Sequence, residues 1–283
     1  MRLATLRYQG GTRAAVLGES SAVLFDDSDL GEVLSRPGWR REAEALLAGA
    51  AENPDTAVAR SAWAFAPLLT RPGKIICVGL NYAAHIAEMG HEQPEVPTLF
   101  AKFADAVAGA HDDIQVPAAQ AHKLDYEGEL AVVIGEQCLH ADETEAAAAI
   151  AGYAIMNDFT QRDRQYATAQ WLQGKTLQRA SAFGPWLLTA EEFDSSSAWV
   201  RTWVDGELRQ EAPIADLVFP PAALVSYISQ FVQLNPGDVI STGTPAGVGH
   251  GMKPQRYLGD GQEMEIAIEG LGRQRNSLRI TGE

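Results

Sequence analysis

Three carboxylates stand at alternate positions where a strand is predicted, and this spacing could bind a metal ion. Asp125, Glu127 and Glu129 lead into the apolar run Leu130–Ile134, which Gly135 ends and which is typical of a buried strand. Side chains two residues apart on a strand share a face, so these carboxylates would repel one another and be costly to desolvate. A hard cation that takes oxygen ligands would relieve the repulsion. An acidic edge strand in contact with water explains the same pattern equally well.

A second pair of residues has the chemistry of a general base. His85 and Glu88 are three residues apart on a predicted short helix, Tyr82–Met89, for which Asn81 is the expected N-cap and Gly90 the stop. Residues at this spacing share a helix face and could hold a water between imidazole and carboxylate. Taken alone, an exposed polar helix face explains the pair better.

Composition limits the class of protein that can carry these residues. The chain has 283 residues, 46% hydrophobic and 21% charged, which fits a soluble globular protein of one or two domains. The formal net charge of -15 argues against a nucleic-acid partner, because phosphate binding needs a basic surface. No run predicts a membrane span, and the first residues lack a signal-peptide pattern. Cys77 and Cys138 are too few for a disulfide framework, so we expect a cytoplasmic protein.

The first part of the chain predicts a small structural unit, Met1–Leu69. Leu3–Tyr8 and Arg13–Leu17, joined at a double glycine, are typical of a hairpin. Trp39–Ala51 has helical composition and is followed by the breaker Asn53-Pro54. No motif with chemistry occurs here, so a structural or interface role is expected.

The remaining chain, 70–283, predicts mostly strands and turns. Gly174-Lys175 is expected in a loop, and Trp199–Val204 with the residues after Asp205-Gly206 predicts a hairpin. Pro221–Leu234 predicts an amphipathic helix with Phe231 on its apolar face, together with Leu224 and Ile228. The later glycine-rich loop 243–249 lacks the strand–loop–helix context and the Lys-Ser/Thr of a nucleotide site.

Five ordered motifs resemble the fumarylacetoacetate hydrolase family, over roughly Lys74 to the C-terminus. They are Val78–Glu88, Asp125–Gly135, Asn157-Asp158 with Arg162-Asp163, Gly174-Lys175 and Ser241–Gly249. The resemblance implies a β-rich α+β fold, in which a C-terminal domain of rolled mixed β-sheets follows a small N-terminal α/β unit. It also implies a homodimer.

The resemblance further implies roles for individual residues. The implied metal ligands are Glu127, Glu129 and Asp158, for Mg²⁺ or Mn²⁺, with Ca²⁺ as a further option. The implied catalytic residues are His85, Glu88 and Lys175, and the implied substrate-binding residues are Arg162, Gln165 and Thr244. Asp125 has no implied ligand role; it either supports the ligands or faces away from them.

These parts imply a metal-dependent enzyme that acts on 2-oxo or diketo acids. The leading hypothesis is hydrolysis of a C–C bond in ketonic, acylpyruvate-like substances, such as fumarylpyruvate or fumarylacetoacetate from aromatic catabolism. Alternatives are an oxaloacetate-type decarboxylase, a 2-hydroxyhepta-2,4-diene-1,7-dioate-type isomerase, or a non-catalytic module that binds a metal or a 2-oxo acid. Arg179 either pairs with a second substrate carboxylate or is a solvated surface residue.

Overall fold

The structure is a computed structural model, and it describes residues 1–49 and 57–282. Its strands within these ranges are β1 (Arg2–Tyr8), β2 (Gly11–Leu17), β3 (Ser21–Leu24), β4 (Ala57–Ala59), β5 (Ile75–Gly79), β6 (Thr98–Lys102), β7 (Val107–Ala108), β8 (Ile114–Pro117), β9 (Leu124–Asp125), β10 (Gly128–Ile134), β11 (Ile150–Asn157), β12 (Thr160–Gln161), β13 (Ser181–Thr189), β14 (Trp199–Val204), β15 (Glu207–Pro213), β16 (Val239–Ser241), β17 (Glu263–Ile268) and β18 (Gly272–Thr281). Its α-helices are α1 (Leu30–Leu34), α2 (Trp39–Gly49), α3 (Ala83–Glu88), α4 (Glu143–Ala148), α5 (Arg162–Gln165), α6 (Leu172–Lys175) and α7 (Pro221–Ser229).

Two mixed sheets form the framework, as the β-rich α+β expectation requires. The larger sheet runs β4-β3-β2-β1-β13-β11-β10-β16-β5-β6, and β7 adds to β13 in parallel. The second sheet runs β15-β14-β17-β18-β8, and β9 pairs separately with β12. Most neighbours are antiparallel, but β16–β5 and β18–β8 are parallel. Among the helices in the described ranges, none has the length and apolar character needed to cross a bilayer.

Strand β10 lies at the centre of the larger sheet and is buried along its whole length. Ala131 and Val133 enter one apolar core, while Val132 and Ile134 enter another on the opposite face. A strand covered on both faces is apolar at every position, which explains the continuous run seen in the sequence. The acidic residues therefore lie where this buried strand begins.

The predicted acidic strand is interrupted, so the expectation of one continuous strand from Asp125 was wrong. The backbone N–H of Tyr126 bonds to the Asp125 carboxylate at 3.0 Å, and the N–H of Glu127 bonds to Oδ1 of Asn157 at 3.1 Å. The N–H of Gly128 bonds to Oε1 of Gln210 at 3.0 Å. Side chains have thus taken the donors that a regular ladder would use.

The N-terminal hairpin is confirmed and pairs with the rest of the chain. Strand β1 lies antiparallel to β13, with Leu3 opposite Leu187, and both residues belong to the core that contains Val133. Helix α2 begins at Trp39, as predicted, and is described to Gly49; Ala51 and the Asn53-Pro54 break lie outside the described residues. The division of the chain at residue 69 stays a prediction.

Helix α7 is shorter than its sequence predicts. It ends at Ser229, and Phe231 is 63% exposed, so the prediction that Phe231 shares the buried face was wrong. The chain after the helix turns back to the sheet, where Leu234 and Cys138 exchange backbone hydrogen bonds of 3.0 Å. This antiparallel bridge requires extended backbone, so the helix cannot continue to Leu234. Leu224 and Ile228 are buried as expected.

Candidate active site

The three carboxylates implied as metal ligands meet at the start of β10. One oxygen from each of Glu127, Glu129 and Asp158 lies within 4.8 Å of the others, and all three side chains are buried. Glu127 and Glu129 come from the start of β10, whereas Asp158 directly follows β11, the antiparallel neighbour. Gly128 is paired with Asn157, so this register brings Asp158 beside Glu127. The backbone N–H of Asp158 bonds to the carbonyl of Glu127 at 2.9 Å.

Two buried lysines neutralise part of this negative charge. Nζ of Lys175 lies 2.6 Å from Oε2 of Glu127 and 2.8 Å from Oδ2 of Asp158. Nζ of Lys102 lies 2.8 Å from Oδ1 of Asp158 and also contacts the carbonyl oxygen of Lys175. Burial alone would raise the pKa of Asp158, but the charges of Lys102 and Lys175 outweigh it and lower that pKa to about 2. Asp158 is therefore an ionised carboxylate between two ammonium groups.

Glu129 has no cation in direct contact among the described residues. Its Oε2 accepts hydrogen bonds from the Ser241 hydroxyl at 2.5 Å and from the Gly243 N–H at 3.0 Å. Burial, with the neighbouring charges of Asp158 and Glu127, raises the pKa of Glu129 well above its ordinary value. Ionised Glu129 needs a further positive charge in its neighbourhood.

Arg162 links the metal-binding candidates to Asp125. Its Nε lies 2.8 Å from Oδ2 of Asp125, and its Nη1 lies 2.7 Å from Oε1 of Glu127 and 2.9 Å from Oε1 of Gln165. Asp125 also accepts backbone hydrogen bonds from Gly249 and His250. Nη2 of Arg162 is buried and finds no hydrogen-bond partner in the described ranges. Asp125 thus holds the arginine, while one guanidinium nitrogen remains for a ligand.

Lys175 lies on a short helix rather than in the predicted loop. It is the last residue of α6, and its position depends on Gly174. A Cβ added to Gly174 would lie 2.4 Å from the backbone nitrogen of Gln165. Only glycine allows α5 and α6 to approach this closely. The sequence around Gly174-Lys175 has too few periodic residues to predict a four-residue helix.

His85 and Glu88 share a helix face as predicted, but they contact each other directly rather than through a water, and Asn81 does not cap their helix. Nδ1 of His85 lies 3.0 Å from Oε2 of Glu88, and the other oxygen of Glu88 accepts a hydrogen bond from the Gly247 N–H at 3.0 Å. The Asn81 side chain donates to the carbonyls of Thr242 and Phe219, at 2.7 and 3.0 Å, and accepts from the Phe219 N–H. Asn81 therefore joins distant loops, and the helix follows Tyr82 without a side-chain cap.

Thr244 is fixed beside the same site. Its hydroxyl lies 3.1 Å from the carbonyl of Gly128 and accepts a hydrogen bond from Nε2 of Gln210 at 2.7 Å. Gln210 also accepts from the Gly128 N–H, so this side chain ties the glycine-rich loop to the start of β10. Both the loop and the acidic residues are thereby held in one place.

One small cavity of about 30 Å³ brings most of these side chains together. Its lining includes His85, Glu127, Glu129, Arg162, Gln165, Lys175 and Thr244. Asp158 and Glu88 do not line the cavity themselves. Asp158 contacts Lys175 and Glu88 contacts His85, and both of these partners line it. Arg179 is absent from this lining, and its side chain is 69% exposed, with the nearest carboxylate, Asp112, at 3.9 Å. Arg179 is therefore a solvated surface residue, which was one of the two alternatives, and it does not line the cavity.

Two residues of the site, Lys102 and Ser241, are not among those predicted from the sequence. A lysine within the otherwise apolar segment Leu99–Phe103 is a usable signal, because a buried strand rarely carries an unpaired charge. The Ser241 hydroxyl carries no such signal, because serine is common where a strand ends in a loop.

The donor set fits a hard divalent cation. Three buried carboxylates without histidine or cysteine match the preference of Mg²⁺, Mn²⁺ or Ca²⁺ for oxygen. The raised pKa of Glu129 shows that its negative charge is not fully compensated by the protein. A cation at this cluster would supply the missing compensation.

The chain is similar in sequence and fold to known proteins. The family model described as the fumarylacetoacetate (FAA) hydrolase C-terminal matches residues 74–279. A mitochondrial oxaloacetate tautomerase of Bos taurus is 41% identical over 216 residues, which are 75% of this chain and 68% of the relative. The solved structure of a fumarylacetoacetate hydrolase from Exiguobacterium antarcticum has a TM-score of 0.87 and 33% identity, covering 99% of this chain and 100% of that one. A 5-carboxymethyl-2-hydroxymuconate delta-isomerase from Mycobacterium smegmatis has a TM-score of 0.79 and 31% identity, with 100% of each chain covered. On the matched residues and the shared fold, this chain belongs to the fumarylacetoacetate hydrolase family.

Proposed function

We propose that the protein is a metal-dependent enzyme that hydrolyses a C–C bond in acylpyruvate-type 2-oxo acids. The observation that carries the proposal is the convergence of two groups of residues on one cavity. Glu127 and Glu129 of the carboxylate cluster line it together with Lys175 and Arg162. His85, which is hydrogen-bonded to Glu88, lines the same cavity. Anion binding, charge compensation and proton transfer are thus available at one place.

Glu127, Glu129 and Asp158 would hold Mg²⁺ or Mn²⁺. The cation would supply Lewis-acid stabilisation to the oxygens of a 2-oxo acid and to the charge that develops on them. The free Nη2 of Arg162 binds an oxygen of the substrate's carboxylate. Because Oε1 of Gln165 accepts from Arg162, its amide NH₂ is the group that can donate to substrate.

His85 and Glu88 provide the nucleophile. The Glu88 carboxylate is held by His85 and by the Gly247 N–H, and the pair orients and deprotonates a water molecule. The water oxygen attacks the distal carbonyl of the substrate, and the cationic Lys175 stabilises the oxyanion that forms. Cleavage of the C–C bond leaves a carboxylic acid and the enolate of pyruvate, which takes up a proton.

A second candidate activity is keto–enol isomerisation of a 2-oxo acid. It is favoured by the 41% identity to an oxaloacetate tautomerase. The same proton-transfer pair and the same enolate stabilisation serve this reaction, but no water needs to attack. The two activities are therefore distinguished by products rather than by site residues.

The decisive experiment follows acetylpyruvate, fumarylpyruvate and oxaloacetate with Mg²⁺ or Mn²⁺, before and after chelation. Hydrolysis predicts that pyruvate and the second acid appear in equal amounts. Glu88→Gln and His85→Ala should reduce this rate by about 10²–10⁴-fold, since general base catalysis contributes that much. Glu92→Gln, at an exposed position nearby, is the matched control. Interconversion of oxaloacetate tautomers without cleavage of any acylpyruvate would instead support the second candidate, and a fully active His85→Ala enzyme would remove the proposed role of that pair.

The family relationship is also the basis on which we propose a homodimer. Size-exclusion chromatography with light scattering on the purified chain tests this, since a monomer of 30.4 kDa and a dimer are well separated in mass.

A further inference from the structure

The cavity is lined by two chemically different groups of side chains. The anion-binding group is Glu127, Glu129, Arg162 and Lys175, whereas much of the remaining lining is apolar or aromatic. The side chains of that second group are Val78, Leu80, Met89, Phe100, Tyr166 and Trp171. We call the last five of these residues the tail wall. A substrate anchored by its 2-oxo acid would direct its remaining part towards this wall.

The tail wall is a packed structure. Phe100 and Trp171 meet edge to face, with centroids 5.4 Å apart, and the ammonium of Lys175 lies 5.3 Å from the Phe100 ring centroid. The Trp171 ring covers Gly79, where an added Cβ would lie 2.4 Å from the indole. Tyr166 is half-exposed and completes the wall, stacked on His250 with ring centroids 5.1 Å apart. These aromatic surfaces favour a neutral, apolar group.

The charges of the site leave little compensation for a second carboxylate. Asp125, Glu127, Glu129 and Asp158 face Lys102, Arg162 and Lys175, so the cluster has one negative charge in excess. A divalent cation would convert this excess into a single positive charge, which one substrate carboxylate balances. Glu88, beside the position proposed for the attacking water, would repel a carboxylate at the far end of the substrate.

No lysine or arginine of the described residues lines the cavity besides Arg162 and Lys175. Lys175 already contacts two carboxylates, and Arg162 has a single guanidinium nitrogen without a partner. Arg179, which could have paired with a distal carboxylate, lies outside the cavity. A dicarboxylate would bury its second charge against Met89, Phe100 and Trp171, and burying an unpaired charge is costly.

We propose that the substrate is a monocarboxylate whose distal part is short, neutral and apolar, and that the tail wall selects it. The inference rests on the proposed function, because it assumes that the carboxylate cluster and Arg162 bind a 2-oxo acid. The free volume of about 30 Å³ is roughly that of one water molecule, so the lining must move to admit a substrate, and it must move less for a small acyl group than for a long one. Acylpyruvates with an acetyl or propanoyl tail have this chemistry, whereas fumarylpyruvate does not.

Binding of two matched acids tests the inference separately from catalysis. 2-Oxopentanoate and 2-oxoglutarate have the same chain length and differ in a distal methyl or carboxylate group. We expect 2-oxopentanoate to bind at least fivefold more tightly in calorimetric titrations with Mn²⁺ at pH 8. Equal or tighter binding of 2-oxoglutarate would overturn the inference.

A positive charge placed on the wall should shift the preference towards the dicarboxylate. Tyr166 is 46% exposed, so Tyr166→Lys can be accommodated and should improve 2-oxoglutarate binding relative to 2-oxopentanoate at least fivefold. Tyr166→Phe keeps the ring and should leave the ratio unchanged. An unchanged ratio in Tyr166→Lys would show that the wall does not contact the tail.

Catalysis then separates the two proposals. The expected kcat/KM for acetylpyruvate exceeds that for fumarylpyruvate at least tenfold. If 2-oxopentanoate is preferred but no acylpyruvate is cleaved, the hydrolase proposal fails while the tail inference stands. If neither acid binds, both fail.

Discussion

The guanidinium of Arg162 and the carboxylate of Asp125 form a buried ion pair, with Nε 2.8 Å from Oδ2. Neither residue exposes more than 2% of its side chain. The family resemblance implies no ligand role for Asp125, and in the structure it fixes the arginine that lines the cavity. Burial lowers the pKa of Arg162, but the charges of Asp125 and Glu127 outweigh this effect and raise it. The guanidinium is therefore permanently charged where a substrate carboxylate would bind.

Asp125→Asn should strongly destabilise the protein. It removes one of the two carboxylates that contact the buried Arg162 guanidinium, and loss of a partner from a buried ion pair costs about 3–5 kcal/mol. The free energy of unfolding from urea denaturation checks this. Asp113→Asn is the matched control: Asp113 is 3.4 Å from Arg279 in an exposed pair, so its loss should cost less than about 1 kcal/mol. Equal losses in the two variants would contradict the structural role of Asp125.

Glu129→Gln should abolish metal-dependent stabilisation while leaving the metal-free protein folded. The raised pKa of Glu129 means that its negative charge is unfavourable without a cation, so an uncharged amide removes a cost. In the unsubstituted chain, Mn²⁺ at one hundred times its dissociation constant should add about 2.7 kcal/mol to the free energy of unfolding. Thermal unfolding with and without Mn²⁺ measures the difference. Glu136→Gln, on the surface, should keep the full increment, and a Glu129→Gln protein that also keeps it would exclude Glu129 as a ligand.

Gly174→Ala should displace Lys175 and destabilise the protein by about 1–3 kcal/mol, the usual cost of overpacking. The added methyl group would meet the backbone of Gln165 at 2.4 Å, and backbone cannot move aside cheaply. Gly11→Ala is the control, because its Cβ would have its nearest contact at 4.0 Å, at the carbonyl of Tyr8. Urea denaturation reports stability, and the hydrolysis rate reports the position of Lys175. Unchanged stability in Gly174→Ala would contradict the close approach of α5 and α6.

His250 should make the protein less stable as the pH falls below about 6.5. Partial burial, assisted by the charge of Arg162, lowers the pKa of His250 below its ordinary value of 6.5. The unfolded chain then binds a proton more readily than the folded one, so the contribution is complete above 6.5 and is lost as the pH falls towards the folded pKa. Titration of the imidazole by NMR gives that pKa directly. His250→Gln should flatten this part of the stability profile, and a pKa at or above 6.5 would contradict the prediction.

The sequence by itself determined the chemistry that is available. The carboxylates of Glu127 and Glu129, the pair of His85 and Glu88, and the ordered motifs predicted the family. They also predicted seven of the fifteen residues that line the cavity. Such features are local: alternation along a strand and spacing along a helix are set by backbone geometry. The buried run Leu130–Ile134 was predictable for the same reason, because its environment is apolar on both faces.

Tertiary structure alone decided which charges meet. The pairing of β10 with β11 places Asp158 beside Glu127, and the approach of α5 to α6 places Lys175 between them. Lys102, at the end of β6, pairs with Asp158, and Asp125 is connected to the cluster by its ion pair with Arg162. Arg179 makes no contact with the cluster and is exposed. These contacts connect residues far apart in the chain, so no local pattern encodes them. What began as three carboxylates on one predicted strand became a cluster of four carboxylates and three cations, because burial requires nearly every charge to find an opposite one.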